Sequence, residues 1–143
     1  MNDLRSVPAY LMRGGTSKGL VFHKKDLPNN RNLLTEYLLK IMGSPDIRQI
    51  NGIGGGTSVT SKVCIISKSL EKNVDIDYFF AQVEVDRKHV DYAPTCGNML
   101  SALGPFAIEE GLVETRNEIT HVNVKSINTG ALITLDVPTP DGK

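Results

Sequence analysis

Thr95-Cys96-Gly97-Asn98-Met99-Leu100-Ser101-Ala102-Leu103-Gly104-Pro105-Phe106-Ala107-Ile108 places a cysteine on a tight glycine turn and an apolar run of helical character directly behind it. A helix apolar nearly all round is wrapped by the rest of its domain, so this stretch is expected to be the central helix. Pro105 removes a backbone donor and is expected to kink the helix or restart it, and Gly111 is the expected C-cap. A thiol at a helix N-terminus faces unpaired N–H groups and the positive end of the helix dipole, an environment that favours thiolate. The polar flanks Pro94, Thr95, Gly97 and Asn98 favour a functional Cys96 over a structural thiol. Asn98 can cap the helix, orient a ligand, or do both.

Outward from this helix, apolar alternation predicts strands. Val7-Pro8-Ala9-Tyr10-Leu11-Met12 and Gly19-Leu20-Val21-Phe22-His23 flank a first glycine-rich loop, and Val63-Cys64-Ile65-Ile66 reads as a fully buried strand. Val74, Ile76, Tyr78 and Phe80, continued by Val83 and Val85, form one long strand or two paired ones. Val122-Asn123-Val124 and Ala131 to Val137 supply two more. Leu33, Leu34, Tyr37, Leu38, Ile41 and Met42 fall at helical spacing from Asn30 onward, with Gly43 and Pro45 as the stop. The last residues, Pro138 to Lys143, are linker-like in composition. The fold class is therefore a strand-rich α+β domain around one apolar helix.

Composition narrows the function. The 143 residues suit one domain, 40% of them are apolar, and 16 basic side chains balance 16 acidic ones. That balance leaves no electrostatic footprint for nucleic acid. No apolar stretch approaches the roughly 18–20 residues of a membrane span, and no signal core follows Met1, so the expected location is cytoplasmic. Cys64 and Cys96 are then expected to be free thiols.

Two glycine-rich segments offer anion-binding chemistry: Arg13-Gly14-Gly15-Thr16-Ser17-Lys18-Gly19, and Gly52-Ile53-Gly54-Gly55-Gly56-Thr57-Ser58-Val59-Thr60-Ser61-Lys62. Neither has P-loop spacing, and the dinucleotide fingerprint fails as well. Glycines let a backbone approach an anion, and Ser and Thr hydroxyls donate to it. A tight turn with solvated Lys and Ser explains either loop equally well; the two together, with Cys96, tip the reading toward carboxylate binding. Lys62 either snorkels to water from the start of its strand or, desolvated, serves as an acid–base group. The histidines read as surface residues, and Asp75 and Asp77 as one solvated face of a strand. No His, Cys, Asp and Glu cluster has metal-ligand spacing.

Leu11 to Gly19, Gly43 to Asp46, Gln49 to Lys62, Val74 to Tyr78 and Cys96 to Ile108, in this order, resemble the PrpF-like 2-methylaconitate cis–trans isomerase family, of diaminopimelate-epimerase-like fold. The resemblance implies a mostly antiparallel mixed sheet curled around the Cys96 helix and catalysis with no metal or organic cofactor. It implies a cofactor-independent isomerase acting by cis–trans interchange, allylic proton shift or tautomerisation on an unsaturated tricarboxylate such as 2-methylaconitate or 4-oxalomesaconate. By position Lys62 and Cys96 match its catalytic residues. Gly15, Thr16, Ser17 and Lys18, then Gly56, Thr57 and Ser58, with Gly97 and Asn98, match segments around the substrate. Family members have two similar domains with the site in the cleft between them, and residues 1–143 match the first. The expected partners are therefore a small carboxylate substrate and a missing C-terminal domain or a second copy of the chain as a homodimer. The competing expectation is a non-catalytic carboxylate-binding half-domain or accessory protein.

Overall fold

The computed structural model describes residues 6–143. Its strands are β1 (Tyr10–Gly14), β2 (Ser17–His23), β3 (Lys62–Lys68), β4 (Ile76–Val83), β5 (Val90–Asp91), β6 (Glu118–Ser126) and β7 (Leu132–Thr139), and its helices are α1 (Arg31–Met42) and α2 (Gly97–Glu109). The strands form one sheet in the order β1-β2-β3-β4-β6-β7, with short β5 paired to β4. The β2–β3 and β4–β6 pairs are parallel and the remaining pairs antiparallel. The sheet curls as a half-barrel around α2.

Alternation along the strands divides the core in two. Val21, Cys64, Ile66, Ile76, Tyr78, Phe80, Val122 and Val124 face inward onto Met99, Leu103, Phe106 and Ala107 of α2. Their neighbours Leu20, Phe22, Val63, Ile65, Ala81 and Val83 face outward onto Leu34, Leu38 and Met42, the buried stripe of α1. Central β3 is thus apolar on both sides, as expected of a strand covered on both faces. The α1 boundaries follow local chemistry: Asn30 Oδ1 accepts from the Leu33 N–H at 3.0 Å, and Gly43 ends the helix at φ 91°.

Several expectations are corrected. The first glycine segment is not a loop between two strands but a two-residue hairpin turn, because Gly15 takes φ 53° and Gly14 already pairs with Ser17. Helix α2 runs unbroken through Pro105. Pro105 and Ser101, whose carbonyl loses its donor, both lie on the exposed face of the helix, so no unpaired carbonyl is forced into the core. For the same reason α2 is not wrapped all round: Gly97, Ser101, Pro105 and Glu109 form an open stripe. Glu110 is the C-cap, and Gly111 follows it at φ 69°. The long alternating run is one strand, β4, with β5 folding back onto it. The C-terminal stretch is structured: Thr139 is buried and its hydroxyl donates to the Arg116 carbonyl at 2.7 Å.

Two constraints hold the ends of α2. At its start, a Cβ on Gly14 would lie 2.2 Å from the Asn98 carbonyl oxygen, so β1 reaches the helix only as glycine. At its end, Glu110 Oε1 pairs with His23 Nε2 at 2.6 Å beside Phe106. The Gly14→Ala variant should lose about 1–3 kcal/mol of unfolding free energy in urea, because a backbone clash has no side chain to rotate away. Gly97→Ala, where a Cβ meets nothing within 4 Å, should be neutral within error. Hydrogen bonds from His23 and then Tyr10 hold the Glu110 carboxyl below its ordinary value. A depressed carboxyl stabilises above its unfolded pKa and ceases to as the pH falls through its folded one. Glu110→Ala should therefore lower the urea midpoint at pH 7 and leave it unchanged at about pH 2.

Candidate active site

The N-terminus of α2 meets the β1–β2 hairpin and the start of β2 on the concave face, and Thr16, Ser17, Cys96 and Asn98 gather there. Cys96 is the N-cap residue in extended conformation, and its side chain does not cap the helix. The N–H groups of Gly97, Asn98 and Met99 fall in the first turn, where a helix has no internal acceptor for them. Cys96 Sγ lies 3.8 Å from Ser17 Oγ, and both residues are buried. Asn98 Nδ2 donates to Thr16 Oγ1 at 3.0 Å, tying the hairpin turn to the helix.

Lys62 enters from β3. Its Cα partner on β2 is Gly19, two residues beyond Ser17, and on β4 it is Gln82. Strand alternation puts Lys62 on the same face as Cys64, Ser17 and Phe80. Its Nζ sits 5.4 Å from the Phe80 ring centroid and donates to Gln82 Oε1 at 2.7 Å. From the strand spacings, the Ser17 and Lys62 Cα atoms are about 8 Å apart. A thiol, a hydroxyl and a helix N-terminus thus share one corner, and the Lys62 amine stands on the same face of the sheet. Together they can bind a carboxylate and move protons at an adjacent carbon.

The other residues expected around the substrate fall into three settings. Gly15 and Gly97 are exposed backbone at the turn and at the helix start. Lys18 is exposed on the outer face, opposite Ser17, since adjacent strand residues point to opposite sides. Gly56, Thr57 and Ser58 line a separate cavity of about 580 Å3 together with Gln82, Glu84 and Asp86. Thr57 and Thr60 cap the 3-10 turn Ser58–Thr60 reciprocally. Gln82 Nε2 donates to the Ser58 and Ser61 carbonyls at 2.9 and 3.1 Å, so one side chain joins this loop to Lys62. Gln49 closes the loop from beneath, donating to Ser61 Oγ and accepting from the Gly56 N–H.

Gln82 escaped the sequence reading. Its signal was a polar residue continuing the apolar Ile76-Tyr78-Phe80 stripe. Tyr78 escaped too: its hydroxyl donates to the Cys96 carbonyl at 3.4 Å and hydrogen-bonds Thr95 and Cys64. Burial pushes the Tyr78 phenol up, with Cys64 adding to it, and burial pushes the Cys64 thiol far up as well. Cys64 is fully buried, as its strand pattern predicted, and both cysteines are free. Asp75 and Asp77 are not on a solvated face: both are half-buried, and Asp75 Oδ2 accepts from the Asn123 N–H at 2.7 Å. Among the described residues no group of three or more His, Cys, Asp or Glu is placed to hold a metal ion. Also among them, no helix is long and apolar enough to cross a membrane.

A half-barrel curled on a helix that starts at a buried cysteine defines the diaminopimelate-epimerase-like class of domain. Within that class the family model described as PrpF protein matches residues 4–143, and the chain belongs to that family. It is 52% identical over 137 residues to 4-oxalomesaconate tautomerase of Pseudomonas putida, covering 96% of this chain and 38% of that protein. It is 43% identical over 146 residues to 2-methyl-aconitate isomerase of Shewanella oneidensis, covering 95% and 37%. The crystal structure of methylitaconate-delta-isomerase matches with TM-score 0.92 at 43% identity, covering 96% of this chain and 61% of that one. The chain thus spans about two-fifths of the length of these curated relatives.

The two thiols should separate chemically. Iodoacetamide should label Cys96, 8% exposed, faster in the native protein than fully buried Cys64, as read by peptide mass spectrometry; equal native rates would contradict this difference in burial.

Proposed function

We propose that residues 4–143 form the first domain of a two-domain, cofactor-independent cytoplasmic isomerase acting on an unsaturated tricarboxylate of the 2-methylaconitate or 4-oxalomesaconate type. The observation that carries the reading is the contact of Ser17 with Cys96 at the N-terminus of α2, with Lys62 on the same face of the sheet. The names of the relatives support the reaction class, and the share of their length that the chain spans supports the two-domain reading. Two free thiols suit a reducing compartment.

The chemistry follows from the geometry. A substrate carboxylate docks on the first-turn N–H groups of α2, with Ser17 and Thr16 hydroxyls beside it. Lys62, as the neutral amine, takes a proton from a carbon allylic to the conjugated carboxyl groups. The electron pair left behind delocalises into a dienolate, whose charge the helix N-terminus stabilises. Return of the proton from the Lys62 ammonium, or of one from the Cys96 thiol, to the far end of the dienolate completes a 1,3-shift. Bond rotation before reprotonation gives cis–trans interchange. Gln82 holds the amine over Phe80, and the second domain or a second copy of the chain closes the cleft.

Proton NMR in D2O tests this with trans-aconitate, 2-methylaconitate and 4-oxalomesaconate incubated with the chain. Deuterium should enter the allylic position, with the rate falling at least about 100-fold in Lys62→Ala and strongly in Cys96→Ser. Exchange that persists in both variants would overturn the assignment. Binding without exchange by the folded wild-type chain would favour a carboxylate-binding module instead.

A further inference from the structure

Lys62 is a half-buried lysine held by an uncharged group. Among the described residues no Asp or Glu pairs with its Nζ, and its hydrogen bond goes to an amide oxygen, Gln82 Oε1, at 2.7 Å.

The Gln82 amide has one possible orientation. Its Nε2 commits both hydrogens to the second glycine loop, donating to the Ser58 carbonyl at 2.9 Å and the Ser61 carbonyl at 3.1 Å. Turned over, the amide would set Oε1 against two carbonyl oxygens and Nε2 against the amine, losing all three bonds. The Ser61 carbonyl also accepts from the Val83 N–H at 3.1 Å, so the lock is anchored in β4 as well as in the loop.

Such an acceptor acts on the amine in a particular way. A carboxylate in the place of Oε1 would add a charge that favours the ammonium. A neutral amide fixes an N–H in either protonation state and adds no such charge. No other group of this face supplies that charge. Cys64, next inward on β3, and Cys96, at the start of α2, are both buried. Asp91 lies beside Gln82 in the β4–β5 register and accepts from the Ala93 N–H, and Glu84, two residues beyond Gln82, is paired with Arg87.

We propose that Gln82 is a positioning residue of the site: its locked amide fixes the Lys62 amine for proton transfer without the charge of a carboxylate. The proposal rests on the reading of Lys62 as the base, and it ties the placement of that base to the fold of the second glycine loop.

Competitive acetylation with acetic anhydride, read by peptide mass spectrometry, gives the pH midpoint of Lys62 reactivity on the folded chain without reference to turnover. Gln82→Glu should raise that midpoint by at least about one unit, and Gln82→Met, which loses the acceptor, should lower it. Exposed Lys72 should be unchanged in both. Deuterium exchange into 4-oxalomesaconate supplies the second readout. Gln82→Glu should lower kcat at pH 7 at least about tenfold with KM within about twofold, and raising the pH should restore it. Gln82→Met should lose kcat at every pH. A merely structural glutamine predicts neither midpoint shifts of opposite sign nor rescue by pH. Midpoints within about 0.2 units of the wild type in both variants would overturn the proposal, and Gln82→Met alone decides if the Glu variant fails to fold. Shifted midpoints with exchange that survives Lys62→Ala would sustain the hold of Gln82 on the amine and overturn the reading of Lys62 as the base.

Discussion

The close approach of the β1–β2 hairpin to the first turn of α2 is the contact on which the site depends. Gly14 touches the Asn98 carbonyl and the Met99 backbone with no room for a methyl group. That contact brings Thr16 within hydrogen-bond reach of Asn98 and lays Ser17 against Cys96. Interiors are packed too densely for a widened contact at one point to be absorbed silently. The helix start therefore stays aimed at the hairpin only while this position is glycine.

The rest of the domain serves to hold α2 in that pose. The inner face of the sheet supplies a wall from Val21 across Cys64, Tyr78 and Val124, and Phe106 anchors the far end against Tyr10 and His23. On the outer face α1 covers the central strands β2, β3 and β4. Where polar groups enter the structure they are paired by two glutamines: Gln49 beneath the second glycine loop and Gln82 between that loop and Lys62. Such side chains satisfy backbone groups that a loop would otherwise bury unpaired, and they give the Lys62 amine a defined position. The same sheet thus presents a proton-transfer corner on one face and a helix-covered core on the other.

Much of this was legible in the chain itself. The cap and stop of α1, the doubly apolar β3, and the alternation of β4, β6 and β7 follow from local periodicity and capping. The blocks that resemble PrpF-like isomerases placed Lys62 and Cys96 as a pair, and both lie on the face that carries the N-terminus of α2. The misreadings were local as well. Gly15-Thr16-Ser17-Lys18 looked like loop because glycine and small polar residues mark turns, yet only Gly15 and Thr16 turn. The rest is strand, which separates Ser17 from Lys18 across the sheet. Pro105 looked like a break because its consequence depends on whether the freed carbonyl faces core or solvent.

By itself, then, the sequence determined which segments are helix or strand and which residue types could bind an anion or move a proton, because propensity and periodicity act over a few neighbouring residues. Only the tertiary structure decided which of those residues meet. Ser17 faces Cys96 across 79 positions of chain, Gln82 holds Lys62, and Asp77 is turned from an expected solvated face into a half-buried position. Those pairings are set by strand register, sheet order and the crossing of α2. Each of these is a long-range compromise among many buried contacts, which no short stretch of residues encodes.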